Sequence, residues 1–195
     1  MFDDNDDFFG FEKTPIYKKA IDVWEVAHRI AEMASDMGDE SKTERESRNL
    51  EHLADIIAED AYMIAPKIAS AWSSDFYDIK MENATIIRYS AMNVLLHLRS
   101  LEVHGFKEVE YCELLRKEIE EFRLLFIEWV KTFDPWNYKI DRWGLFNPPG
   151  VSHDDIDPNE DEDEIDFDDF DFLGEEFDDE DDDDFDFPES DDFDD

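Results

Sequence analysis

Glu25 and His28 stand three residues apart, the spacing at which di-iron bundles present a carboxylate and an imidazole to a shared metal. Such a centre needs a second pair, and His52, His97 and His104 are preceded at that distance by Asn49, Val94 and Leu101. Glu25 also falls on a polar stripe with Lys18, Asp22, Arg29 and Glu32, where Glu25 and Arg29 are placed for an ordinary i,i+4 surface pair. The spacing therefore predicts a solvated face and no metal. Asp155, Asp157 and Asn159 imitate the opening of a calcium loop, but Glu160 stands where that loop turns on glycine and Asp166 where it closes with glutamate. Only diffuse, weak divalent binding is expected there. Cys112, the single cysteine, excludes a disulfide framework and a cysteine zinc site, and on the apolar side of a helix it reads as a small packed hydrophobe. With six glycines in the chain and no phosphate loop, nucleophile elbow or paired-histidine motif, the sequence predicts no enzyme, no catalytic residue and no cofactor.

Chemistry of another kind lies at the C-terminal end. Residues 151–195 hold 27 Asp or Glu and no Lys or Arg, and Phe167, Phe170, Phe172, Phe177, Phe185, Phe187 and Phe193 sit among those carboxylates. A purely solubilising tail gains nothing from exposed aromatic rings. Closely spaced carboxylates can occupy phosphate positions on a basic groove while Phe rings take the places where bases would stack. The seven phenylalanines are the expected contacts to a basic protein partner, and the segment reads as a nucleic-acid mimic. Similar acidic-aromatic tails occur on single-strand-binding proteins and histone-type chaperones, a likeness of composition only.

The charge is unevenly spread. The 195 residues carry a formal net charge of −39, yet residues 11–150 hold 26 acidic against 18 basic side chains, so the globular part is only mildly acidic. The N-terminal Met1-Phe2-Asp3-Asp4-Asn5-Asp6-Asp7 lacks the basic and apolar regions of an export signal. No apolar run approaches a membrane span, and this much negative charge is repelled by anionic lipid. A cytoplasmic protein with no membrane partner is expected.

Four segments of helical period must position these features. Thr14-Pro15 is a cap and first helical residue, followed by Ile16, Ala20, Trp24, Ala27, Ile30 and Ala34 up to Gly38. The second segment, about 42–72, carries the seam Leu50, Leu53, Ile57, Ala61, Ile64, Ile68 and Trp72, with Pro66 inside it as an expected kink. Ser73-Ser74-Asp75 offers the cap of a third helix over Ile79, Ala84, Ile87, Ala91, Val94 or Leu95, Leu98 and Leu101, stopped by His104-Gly105. A fourth, about 107–133, turns Val109, Cys112, Leu115, Ile119, Phe122, Leu125 or Phe126 and Trp129 inward. The expected fold is all-α, an antiparallel up-and-down four-helix bundle over 14–134, preceded by an acidic arm, 1–13. An aromatic extension, 135–150, should strap back through Trp136, Trp143 and Phe146, and a tail too charged to order itself, 151–195, should follow. The third helix is apolar on more than one stripe (Ile86 with Ile87, Leu95 with Leu96), and three tryptophans exceed what a thin core encloses, so self-association is expected.

Ala61-Tyr62-Met63-Ile64-Ala65-Pro66-Lys67-Ile68-Ala69-Ser70-Ala71 resembles the Ala-x-x-Ile-Pro-x-Asn-Ile-Ala-Glu-Gly segment of the small bacterial four-helix proteins encoded in intervening sequences of 23S ribosomal RNA genes. That family also includes the accessory variability determinant of diversity-generating retroelements. Tyr17 to Trp24 is similar to its first helix and Ala84 to Leu95 to its third, so the resemblance covers about residues 13–133. Here Lys67, Ser70 and Ala71 replace the family's Asn, Glu and Gly, and the proline lies one place away at Pro66. The resemblance implies an up-and-down bundle without catalytic activity that forms a ring-like homo-oligomer, a pentamer in the retroelement proteins, which bind nucleic acid and a reverse transcriptase through a basic surface.

Two functions follow. One is a non-enzymatic oligomeric adaptor whose tail engages a basic protein. The other is a nucleic-acid-binding accessory factor, autoinhibited by its tail, that uses local basic patches: Lys18 with Lys19, Lys42 with Arg45 and Arg48, and Lys139 with Arg142.

Overall fold

In a computed structural model, which describes residues 10–39 and 43–158, four helices carry the chain and no strand occurs among the described residues. They are α1 (Pro15–Asp39), α2 (Glu44–Trp72), α3 (Tyr77–Val103) and α4 (Val109–Val130), preceded by a 3-10 turn over Gly10–Lys13. Thr14 opens α1 as its sequence demands: its hydroxyl accepts from the Tyr17 N–H at 3.3 Å and donates to the Phe11 carbonyl at 2.6 Å. Gly38 does not stop this helix, which continues through Asp39. α2 runs through Pro66, whose missing N–H leaves the Tyr62 carbonyl without its helical donor on the exposed side of the helix.

The α3 start departs from expectation. No Ser or Asp side chain caps it; the Ser74 hydroxyl accepts only from the Phe76 N–H, just before the helix. Its first N–H, that of Tyr77, instead donates to the Asn137 carbonyl at 2.7 Å, so the segment after α4 supplies the missing acceptor. The α3 end follows the sequence closely. Gly105 at φ 99° lets the Phe106 N–H reach the Leu101 carbonyl and the Gly105 N–H reach Glu102, closing a Schellman motif over buried Phe106.

α1 packs against α2 and α4, α2 also against α3, and of these pairs and that of α3 with α4 the last is the slightest contact. Alanines at positions 20, 27 and 34 alternate with Ile16, Val23 and Ile30 along the buried side of α1, so small residues let neighbouring helices approach. Ile57, Ile64 and Ile68 of α2, Ile87, Val94, Leu98 and Leu101 of α3, and Cys112, Leu115 and Phe122 of α4 complete the core. Two inward assignments fail, those of Trp72 and Val109, and of the pair Val94 or Leu95 it is Val94 that turns inward. Trp72 and Leu95 are exposed, and Val109, at the first turn of α4, is more exposed than either. In α1, Val23 takes the fully buried place and Trp24 is half-buried, stacked on His28 and edge-on to Tyr62.

Residues 134–158 fold back on the start of α3, but not through the tryptophans. Trp136 is 87% and Trp143 91% exposed, whereas Phe133 and Ile140 are buried. Asp141 organises this strap: its carboxylate accepts from the Trp143, Leu145 and Phe146 N–H groups at 2.7–2.9 Å. Burial opposes ionisation of Asp141, but the N–H groups of Phe146, Trp143 and Leu145 outweigh it and hold the carboxyl below its usual range. The ordered strap extends past residue 150: the Ile140 N–H donates to Asp157 at 2.7 Å, and Arg142 donates to the His153 and Asp155 carbonyls.

Candidate interaction surfaces

Glu25 and His28 are both exposed, and His28 lies 3.6 Å from Glu32, so this pair belongs to the surface. Arg29 pairs with Glu32 at 3.3 Å, one turn along, rather than with Glu25. Asp155 and Asp157 accept from different backbone groups, those of Ser152 and Ile140, and do not converge. Among the described residues no cluster of three His, Cys, Asp or Glu could hold a metal ion. Burial, and then the Glu102 carboxylate, push the Cys112 thiol up to about 11, which keeps it protonated. No helix among the described residues is long and apolar enough to cross a membrane.

The basic residues do not gather into one surface. Lys18 is exposed, but its neighbour Lys19 turns toward α4, where its ammonium donates to Glu118 at 2.7 Å and Glu121 at 2.8 Å. Those hydrogen bonds, to Glu118 and then to Glu121, raise its pKa further above the ordinary lysine value. Arg48 faces Glu44, while Arg45 is exposed and Lys42 lies outside the described residues. Lys139 lies 4.8 Å over the Phe76 ring, and Arg142 is held on two carbonyls within the strap. Phe167, Phe170, Phe172, Phe177, Phe185, Phe187 and Phe193 also lie outside the described residues.

Two features escaped sequence reasoning, and a third was anticipated in part. One joins α2 to α3: Asp60 Oδ2 and His97 Nδ1 are buried 3.3 Å apart, within ion-pair range but out of hydrogen-bond alignment. Another is an aromatic groove at one end of the bundle, lined by Thr14, Ile16, Trp72, Trp129 and Phe133. Gly10 packs on Trp72, and a Cβ there would lie 3.1 Å from the Trp72 ring, so a larger residue would require the ring to give by a few tenths of an ångström.

The third is the outer face of α3. Glu82, Thr85, Tyr89, Met92, Leu96, Arg99 and Val103 follow one another at alternating three- and four-residue steps, and every one is exposed. Tyr89 is 64%, Leu96 60% and Val103 79% exposed, on the side opposite the buried Ile87, Val94, Leu98 and Leu101. Arg88 and Leu95 flank this stripe, and neither Arg88 nor Arg99 forms an ion pair among the described residues. The doubled apolar pairs in the sequence signal two faces, but burial assigns Leu96, not Leu95, to the centre of the outer one.

No family model, curated protein or solved structure matches this chain.

Proposed function

We propose that this protein is a non-enzymatic, oligomeric four-helix adaptor whose acidic, Phe-bearing C-terminal segment binds a basic protein partner in the manner of a nucleic-acid mimic. The observation that carries the reading is the composition of residues 151–195, with 27 carboxylates, seven phenylalanines and no basic side chain. The strap supports it, because Asp157 on Ile140 and Asp155 on Arg142 give the segment a fixed root on the bundle. An antiparallel, up-and-down course of the helices belongs to this proposal. It is supported by the end groove, where residues from the start of α1, the end of α2, the start of α3 and the end of α4 line one cavity. Membership of the intervening-sequence family, a cytoplasmic location and a ring-like assembly are parts of the same proposal, and the exposed stripe of α3 supports association of copies.

Filter binding of the full chain to single-stranded RNA and DNA tests the choice of partner. The adaptor reading expects no retention at physiological salt, either of the full chain or of the chain cut after residue 158; retention exposed by removing the acidic segment, and falling steeply with salt, would overturn it in favour of an autoinhibited nucleic-acid-binding factor. Light scattering of the full chain should give a multiple of the monomer mass under some salt condition. A monomer at every salt concentration would remove the oligomer from the reading.

A further inference from the structure

The α3 stripe from Glu82 to Val103 keeps its alternating three- and four-residue steps through three full heptads, the period at which one helix meets another along its length. Tyr89, Met92 and Leu96 hold the middle of it, and each is more than half exposed. A face of that period is covered by a helix, and the charges along it say which one. Residues 83–101 contain no Asp or Glu but hold Arg88 and Arg99, whereas Asp78 and Glu82 stand at the head of the helix. Glu82 and Arg99 are exposed, and neither forms an ion pair among the described residues.

Laid antiparallel on itself, the stripe is its own complement. With Tyr89 against Met92 of a second copy at the two-fold axis, Thr85 meets Leu96 and Glu82 meets Arg99, and each pair occurs twice. Other alignments lose the charge match. A parallel pair sets Arg99 against Arg99 and Glu82 against Glu82, and sliding the antiparallel pair by one heptad sets Arg99 against Tyr89 or Glu82 against Met92. Glu82 and Arg99 lie about 26 Å apart along the helix, so the two ion pairs close opposite ends of the seam. Those ends are already furnished. Glu82 lines a cleft of about 430 Å³ between α3 and the strap, together with Asp78, Asp141, Trp143 and Leu145, and Trp143 and Leu145 are exposed. Asp141 holds the backbone of both by accepting their N–H groups, so an indole ring and carboxylates stand where Arg99 of a second copy arrives.

We infer that α3 forms an antiparallel two-fold seam with α3 of a second copy of this chain, with Tyr89 on Met92 at its centre and Glu82 on Arg99, beside Trp143, at both ends. The inference rests on the oligomeric part of the adaptor reading and names the surface that carries it. A two-fold contact uses one patch twice and closes in a pair, so a ring-like assembly needs a further surface besides this one.

The test is light scattering of the full chain through a dilution series at physiological salt. Glu82→Arg and Arg99→Glu, both at exposed positions, each set like charge on like at both ends of the seam. Each should weaken the assembly by about tenfold or more, with an unchanged helical circular-dichroism spectrum showing that the fold is kept. Mixing the two variants in equal amounts, or combining both substitutions in one chain, sets opposite charges together again and should restore the wild-type association. Single variants that assemble like the wild type overturn the seam and leave the oligomeric reading standing. Loss in the single variants without recovery in the mixture or the double variant also overturns it, because Glu82 and Arg99 would then not be partners. A wild-type chain that is a monomer at every salt concentration removes the seam and the oligomeric reading together.

Discussion

Leu96 and Leu98 are the same residue type, two positions apart on α3, and the two-faced account of that helix assigns them different energies. Leu98 is fully buried and Leu96 is 60% exposed. Truncating a buried leucine to alanine removes its transfer free energy and leaves a cavity, so Leu98→Ala should cost about 2–5 kcal/mol. Full burial of a leucine contributes about 1.5–3 kcal/mol, and the covered two-fifths of Leu96 scale this to about 0.6–1.2 kcal/mol. Alanine's higher helix propensity returns a few tenths, leaving about 0.5 kcal/mol for Leu96→Ala. Urea unfolding of the full chain, followed by helical circular dichroism, compares the two midpoints at equal slope. Equal losses, or a larger loss for Leu96, would refute the division of α3 into a core face and an open face.

Removing the α1–α4 bridge by Lys19→Met should cost about 1–3 kcal/mol, because both Lys19 and Glu118 are mostly covered, and a double-mutant cycle with Glu118→Gln should show coupling. Because the folded state raises the Lys19 pKa, its contribution is fully present below the ordinary lysine value of about 10.4 and lost as pH rises through the higher folded value; Lys19→Met should flatten that alkaline loss in a pH series of unfolding midpoints. The folded strap lowers the Asp141 pKa, so its contribution is present above the ordinary Asp value of about 3.9 and lost as pH falls through the folded one; amide exchange of Trp143, Leu145 and Phe146 should quicken there, and Asp141→Asn should quicken it already at neutral pH. Cys112 should resist alkylation in the native protein at neutral pH and react at the rate of a free thiol in denaturant; rapid native labelling would contradict its burial.

The four helices were legible because their apolar residues keep the helical period for many turns, and the Gly105 stop was legible because a positive φ there favours glycine. Periodicity loses its authority at helix ends. Trp72 and Val109 continue their seams on paper, yet at the last turn of α2 Trp72 borders the open end groove and at the first turn of α4 Val109 is exposed. The cap of α3 was invisible because its acceptor, Asn137, lies sixty residues downstream of Tyr77, and a local Ser-Ser-Asp run cannot announce a tertiary partner. The strap misled for a related reason: tryptophans suggested burial, whereas Asp141 folds the loop from inside and leaves Trp136 and Trp143 facing outward. Among the basic residues, adjacency in sequence concealed opposite fates. Lys18 and Lys19 lie about 100° apart around α1, and that rotation takes one to solvent and the other to Glu118 and Glu121.

The central claim is that the tail recognises its partner through rings as well as charge, and one comparison tests it. The full chain and a variant with Phe167, Phe170, Phe172, Phe177, Phe185, Phe187 and Phe193 all changed to Ser carry the same net charge, so each is used as bait for proteins of the source cell, quantified at physiological and at raised salt. Charge-driven capture should be equal for the two baits and fall with salt, since attraction over about 8 Å at physiological ionic strength is screened. The account predicts a basic protein held several-fold more strongly by the Phe-bearing tail at both salt concentrations, because buried rings contribute apolar area that serine lacks. Identical capture profiles for the two baits would contradict it.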